Sequence, residues 1–250
     1  MINNDTIKFT DDIFFEKNEI SKIETFDCVN NTLKNSNGGE LYFESTDSET
    51  LFFTDSRIQN ISQNSSQGFG LRSINDDKVA FSSSDNLSFK NILNASKTVK
   101  SITNSNNGNV AIYKNKKYSK PIYTKKNPLI NLELSKKIVL LEKINDFARK
   151  ADNRVVQVSI SLSGSFTSIQ ILKKDFENHA DVRPLIKLNI QIVVESNNKK
   201  SFGSSGYGGR TLYDEWVDEK NWKPKVKEAL KLAILNLDSQ PAPAGELPVF

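Results

Sequence analysis

Eight residues, Gly203-Ser-Ser-Gly-Tyr-Gly-Gly-Arg210, hold four of the eleven glycines of a 250-residue chain and end on one of its six arginines. Glycine lets another backbone approach closely and reaches positive φ. Such a segment could cradle a phosphate, hold a dinucleotide or lie against a peptide. Spacing removes the first two. A phosphate loop runs from its last glycine into Lys and then Ser or Thr, whereas Arg210-Thr211 follows Gly209 here. Gln67-Gly-Phe-Gly-Leu-Arg72 has Ser73 where a dinucleotide fingerprint needs its third glycine, and no βαβ unit surrounds it. Two structural explanations of 203–210 remain, a flexible hairpin end or a strand with bulges. The functional one is a surface where a peptide or partner backbone meets Gly206, Gly208 and Gly209, with Arg210 as a fixed donor fork for a carboxylate or carbonyl.

Other chemistry is sparse. His179, the only histidine, lies in the polar turn Glu177-Asn-His-Ala-Asp181, and Cys28 is the only cysteine. A zinc site needs three or four ligands held together, and one histidine and one cysteine in different expected domains do not supply them. Serine catalysis would need a nucleophile elbow beside His179, and the sequence offers none. Neither catalytic nor metal residues can be assigned within the chain.

Composition sets the frame. With 37% hydrophobic and 26% charged residues, the chain reads as a globular protein. Its net charge of +4 is spread without a basic block, so nucleic acid is not indicated. One cysteine excludes an intramolecular disulfide, and neither a signal-peptide core nor a run of about eighteen apolar residues occurs. The expected compartment is the cytoplasm, without a membrane partner.

The elements that must position these residues fall into two expected α+β domains, each an antiparallel or mixed sheet covered by helices. Residues 1–18 carry no clear pattern. Ile20, Ile23, Phe26, Val29 and Leu33 recur at helical spacing, and Asn37-Gly38-Gly39 stops that helix. Four strands follow over Glu40–Ser45, Thr50–Thr54, Gln67–Ser73 and Lys78–Ser83, with Asp76-Asp77 as a hairpin turn. Asp85 then caps a helix with Leu87, Phe89, Ile92, Leu93, Ser96 and Val99 turned inward. This gives a first domain over 1–105 and a linker over 106–130, where Pro121 and Pro128 block regular structure.

The second domain is expected over 131–240. Ser135 caps a helix whose inner face is Ile138, Leu141, Ile144, Phe147 and Ala151. Val156, Val158, Ile160 and Leu162 alternate as a strand, which Ser163-Gly164-Ser165 turns back into Phe166–Leu172 as a hairpin. The longest alternation, Ile186 to Val194, returns through Ser196-Asn-Asn-Lys199 into the glycine-rich segment as an antiparallel meander. Pro224 sits in the first turn of a last helix with Val226, Ala229, Leu230, Ala233, Ile234 and Leu237 inward.

Four ordered segments now carry a resemblance. They are Gly39-Glu-Leu-Tyr-Phe-Glu44 with Gln67-Gly-Phe-Gly-Leu-Arg72, then Ala180-Asp-Val-Arg-Pro-Leu185, Gly203–Arg210, and Leu235-Asn-Leu-Asp-Ser-Gln-Pro-Ala-Pro-Ala-Gly-Glu246. From about residue 20 the chain resembles the front half of the TldD-type members of the TldD/PmbA family. That resemblance implies cytoplasmic, zinc-dependent proteolysis of unfolded or modified peptides, in partnership with a PmbA/TldE-type chain. It also implies a zinc helix with His-Glu-x-x-x-His, two histidines binding the metal and the glutamate serving as base for the bound water. No His-Glu pair occurs in this sequence. The expectation is therefore the non-catalytic N-terminal part, with 241–250 opening a missing C-terminal domain. Zinc belongs to the complete family member, and the chain alone is expected to be inactive. It would work with a separate C-terminal piece or a PmbA/TldE-type partner, unless it is a stand-alone peptide-binding module or a split or decayed gene product.

Overall fold

Long alternating segments and a few strongly amphipathic ones dictate the architecture. The computed structural model describes residues 4–76, 78–103, 123–240 and 245. In order come α1 Asn4–Asp11, a π turn at Asp12–Glu16, α2 Lys22–Thr32, β1 Gly38–Thr54, β2 Arg57–Asn75, β3 Lys78–Ser84 and α3 Phe89–Thr103. Then follow α4 Pro128–Asn131, α5 Leu134–Ala151, β4 Val155–Leu172, β5 Asn178–Ser196, β6 Lys199–Gly209 and α6 Glu219–Leu237. Hydrogen-bonded neighbours run β3-β2-β1-β4-β5-β6. The fold is α+β. No described helix is long and apolar enough to cross a membrane.

Two compact units divide the chain. Unit 1 comprises 1–48, 63–126 and 165–184, and unit 2 comprises 49–62, 127–164 and 185–250. Strands β1, β2, β4 and β5 are long enough to contribute residues to both, so the units interleave in sequence. Of the expected linker, residues 106–122 lie outside the described residues, as do 241–250 apart from Gly245.

Each core follows from the strand and helix periods. In unit 1, Leu41 and Phe43 of β1 and Phe69 and Leu71 of β2 meet Phe26, Val29 and Leu33 behind α2 and Ile92 and Val99 of α3. Phe14 and Phe15 of the π turn close on Phe43, with ring centroids 5.4 and 5.5 Å apart. In unit 2, Val158, Ile160 and Leu162 of β4 and the alternate residues Ile186 to Val194 of β5 receive Leu141 and Ile144 of α5 and Val226, Ala229 and Ala233 of α6.

Several expectations give way, each for a local reason. The first two expected strands are one, β1, because its polar middle keeps pairing. Ser65 donates to Asp47 Oδ1 at 2.6 Å, and the reversal falls at Asp55-Ser56, with φ of 51° and 58°. Both central residues in the left-handed region suit a tight hairpin. Asn197-Asn198, with φ of 51° and 59°, does the same between β5 and β6. Asn75 pairs with Lys78 across the β2–β3 turn, where Asp77 lies outside the described residues.

Ser163-Gly164-Ser165 is not a turn, since β4 runs through it without a break. Gly164 is needed for another reason: a Cβ there would collide with the Tyr213 hydroxyl. Helix ends also shift. Ser21 caps α2, accepting from the Glu24 amide at 3.3 Å, and Ile23 points outward at 73% exposure. Ser88, not Asp85, caps α3 by accepting from the Asn91 amide at 3.3 Å, which leaves Leu93 partly exposed. Pro128 opens α4 instead of blocking structure, behind an Asn127 cap. Glu133 precedes α5 in place of Ser135, and the buried stripe is Lys137, Leu140, Leu141, Ile144, Asn145 and Ala148, so Ala151 is exposed. Asp218 caps α6 and the five residues Glu219–Lys223 precede Pro224 within it, so the proline lies inside the helix.

Candidate functional site

The strand pleat decides what Gly203–Arg210 presents. β6 pairs with β5 one residue to one residue from Ser196↔Lys199 to Ile186↔Gly209. There is neither a bulge nor a hairpin end, and no glycine in the segment takes a positive φ. Gly203 and Ser205 face inward, with Tyr207 half-buried beside them, while Ser204, Gly206, Gly208 and Arg210 are exposed.

Packing accounts for three of the four glycines. A Cβ on Gly203 would collide with the Ala229 carbonyl oxygen and the Ala233 nitrogen, so α6 lies directly on this strand. A Cβ on Gly206 would lie 2.5 Å from the Leu188 carbonyl oxygen, and one on Gly208 2.9 Å from that of Ile186. Both distances are shorter than real side chains tolerate, and the opposing atoms are main chain. Gly209 has no such constraint, meeting only Thr211 Cγ2 at 3.7 Å. Inward, Tyr207 stacks on Trp216 with centroids 3.5 Å apart, and Ser205 donates to Glu228 Oε2 at 2.7 Å. That hydrogen bond, with Lys225 beside it, lowers the Glu228 carboxyl.

Outward, the bare strand leaves a depression of about 380 Å³ lined by Leu185, Lys187, Asn189, Gly206 and Gly208. Gly206, Gly208 and Arg210 thus lie on one exposed side of the strand end, and Gly209 takes the other side with Tyr207.

Unit 1 carries a second depression that the sequence reading did not anticipate. It measures about 630 Å³ and is lined by Glu40, Tyr42 and Glu44 of β1, Gly68, Gly70 and Arg72 of β2, and Phe81 of β3 with Asp85 beyond it. Alternation again explains it: Leu41, Phe43, Phe69 and Leu71 are buried and their neighbours face out. Arg72 Nη2 pairs with Glu40 at 2.8 Å. Tyr42 donates to Glu44 Oε2 at 2.5 Å. Burial, then that hydrogen bond and the Glu44 charge, push the Tyr42 phenol up to about 12, and Arg183 pulls weakly the other way. The two strands share a pattern, Gly68-Phe-Gly-Leu-Arg72 and Gly206-Tyr-Gly-Gly-Arg210. In each, an aromatic ring turns inward between two outward glycines. Glycines at i and i+2 within alternating strands were the available signal.

The interior of unit 2 holds a charged cluster that periodicity alone did not reveal. Lys137 is 2% exposed and Glu49 5%, and they form an ion pair. Lys137 Nζ also donates to the Leu129 carbonyl at 2.9 Å and lies 4.5 Å from the Tyr213 ring centroid. Burial first, and Glu49 second, drive the Tyr213 phenol far above its ordinary range.

The described residues do not fit a metal centre. Cys28 is buried in the unit 1 core. His179 stands at the start of β5, not in a turn, with Nε2 2.6 Å from Glu177 Oε1. Although both fall in unit 1, no described group of three or more His, Cys, Asp or Glu side chains gathers as ligands.

With this geometry in place, comparison with known proteins is informative. Residues 39–103 match PmbA/TldA metallopeptidase domain 1, and residues 127–237 match the PmbA/TldA metallopeptidase central domain. A metalloprotease TldD homolog of Buchnera aphidicola from Schizaphis graminum is 31% identical across 98% of this chain and 52% of its own length. The Haemophilus influenzae homolog is 32% identical across 91% of this chain and 48% of its own. The chain spans about half the length of these curated relatives. Among solved structures, a Thermotoga maritima protein described as a modulator of a DNA gyrase superposes with a TM-score of 0.70, at 16% identity, over 90% of this chain and 50% of its own. TldE from Thermococcus kodakarensis gives 0.61 at 13% identity, over 84% and 47%. At such identities the shared feature is the fold.

Proposed function

The chain belongs to the PmbA/TldD metallopeptidase family, and from that premise we propose that it is the non-catalytic, substrate-holding portion of a TldD-like metalloprotease acting on unfolded or modified peptides. One observation carries this reading. The unbroken β5–β6 ladder leaves Gly206 and Gly208 bare beside Lys187 and Asn189, a strip of main chain that an extended peptide can approach closely. Arg210 at its end is the donor fork for a peptide carbonyl or carboxylate. Zinc chemistry falls to a different part of the assembly, because the sequence has no His-Glu pair and its described residues gather no ligand set. That part is a C-terminal TldD piece, and the assembly includes a PmbA/TldE-type partner in the cytoplasm.

The test has two arms. The chain alone, supplied with zinc, is expected to leave an unfolded casein substrate uncut. Mixing it with the C-terminal half of the Haemophilus homolog is expected to restore metal-dependent cleavage. Lys187→Ala, at the surface, should weaken peptide binding without shifting the melting temperature, and Arg210→Gln should weaken it too. Cleavage by the chain alone would overturn the assignment. A stand-alone binding module would instead hold peptides with undiminished affinity and gain nothing from the second half.

A further inference from the structure

We propose that the outer depression of unit 1 binds a lysine or arginine side chain carried on an extended peptide, its cation held between the Phe81 ring and the carboxylates of Glu44 and Asp85. The site is separate from the strip at Gly206 and Gly208, and the proposal does not depend on that strip holding peptide.

Charge distribution points to a cation. Three carboxylates, Glu40, Glu44 and Asp85, line the depression against one guanidinium, Arg72, a formal balance of −2. Arg72 is occupied by Glu40 at 2.8 Å. Along β2, Arg72 and Gly68 stand four residues apart, roughly 13 Å at strand rise, so Glu40 marks the Arg72 end. A Cβ on Gly68 would lie 3.4 Å from Asp85 Cα, which places Asp85 at the opposite end. Glu44, four residues beyond Glu40 on the antiparallel neighbour, reaches that end too. One further cation, Arg183, feels the Glu44 charge but is paired with Asp181 at 2.8 Å. The Gly68 end is therefore acidic and is lined by no positive group.

The shape favours a long aliphatic stem bearing that charge. Phe81 is 60% exposed, and its ring lies against Gly70, where a Cβ would be 2.9 Å from it. A ring face attracts Lys and Arg, and both side chains lay their methylenes along apolar surface while the charged head stays polar. Tyr42 is held in place by its hydrogen bond to Glu44 and remains a neutral wall. Asp85 makes no hydrogen bond or ion pair among the described residues, because Ser88 has taken the cap of α3. Gly68 leaves strand main chain partly exposed beneath, where an extended peptide can approach, while the Phe81 ring covers Gly70. The volume, about 630 Å³, holds one such side chain with its flanking backbone.

Fluorescence anisotropy of acetylated, dye-labelled Gly-Ser-Lys-Ser-Gly, titrated with the full chain, tests this against the same peptide carrying norleucine or glutamate in place of lysine. The lysine peptide is expected to bind about tenfold more tightly than the norleucine one, and the glutamate peptide more weakly still. Asp85→Asn and Phe81→Ala should each remove about threefold of the preference, and Asp85→Asn with Glu44→Gln nearly all of it. All these positions are exposed or half-exposed, and a melting curve checks that the fold is kept. Lys187→Ala should leave the preference intact, so this proposal and the one for unit 2 fail separately. Equal binding of lysine and norleucine peptides, absence of binding by all three, or a preference that survives the double variant overturns it.

Discussion

Unit 1 and unit 2 each carry a strand with glycines at alternate positions. Main chain stands against Gly68 of unit 1, where a Cβ would lie 2.9 Å from the Ser84 carbonyl oxygen, as it does against Gly206 and Gly208 of unit 2. What stands against Gly70 and Gly206 differs in kind. Beside Gly70 it is the ring of Phe81, a side chain with room to turn at 60% exposure. Beside Gly206 it is the Leu188 carbonyl oxygen, fixed in the β5–β6 ladder. The first depression can yield at Gly70, where Phe81 can turn, whereas main chain bounds the second at Gly206. The interiors differ as well. Unit 1 buries neutral polar groups, such as the Thr32–Ser96 hydroxyl pair at 2.6 Å. Unit 2 buries Lys137 and Glu49, the two buried charged residues among those described. A rigid, glycine-bared strand on a charged interior suits main-chain contact, and a deformable one with an acidic rim suits side-chain selection.

The largest effect that would break this contrast is expected inside unit 2. Lys137→Met leaves the Glu49 carboxylate buried and unpaired, a cost of about 3–5 kcal/mol. Lys137→Met with Glu49→Leu should recover most of that loss, because two apolar groups of similar size then replace the pair. Thr32→Val in unit 1 should cost only about 1–2 kcal/mol, for a neutral hydroxyl left without its partner. Urea denaturation gives all three. If Lys137→Met proves as mild as Thr32→Val, the two interiors are not different in the way described.

A smaller effect separates the glycines. Gly206→Ala must displace main chain and should cost about 2–3 kcal/mol. Gly70→Ala only turns the Phe81 ring and should cost about 1 kcal/mol or less. Gly209→Ala meets nothing closer than ordinary contact and is expected to be neutral or stabilising by a few tenths of a kcal/mol. Equal losses at Gly70 and Gly206 would show that the Phe81 ring is as fixed as the ladder.

Elements with an undiluted period were legible in the sequence. Val226, Ala229, Leu230, Ala233 and Leu237 were expected inward and are buried on α6, and the alternation from Ile186 to Val194 is β5. The α+β class followed from them. Polar strand centres were not legible. Residues 46–49 and 163–165 read as turns because Asp, Ser and Gly favour turns locally, whereas neighbouring strands hold them extended. Only the fold explains Gly164, which makes room for a tyrosine 49 positions on in sequence at Tyr213. The strip at Gly206 and Gly208 was visible as composition but not as a regular strand. The unit 1 depression was hidden because its acids come from β1 and from the loop after β3, which no local pattern brings together. Asp85 in particular looked like a helix cap until Ser88 took that place.

The finest test of the contrast is spectroscopic. Tyr42 and Tyr207 are both pushed up to about 12, Tyr42 by burial reinforced by Glu44 and Tyr207 by burial alone. A raised phenol pKa means that the fold favours the neutral form. The associated stability is fully present below the ordinary value near 10 and is lost as pH rises from about 10 to 12. Tyrosinate absorbance followed across that window should show two delayed phenols, Tyr42 and Tyr207, with Tyr213 held neutral to still higher pH. Glu44→Gln removes a charge and weakens the acceptor in unit 1, so one delayed phenol should titrate earlier while the other is unmoved. Tyr42→Phe and Tyr207→Phe assign the two. If both phenols shift together, the delay reflects a common loosening of the structure at high pH, and the acidic rim contributes nothing specific to unit 1.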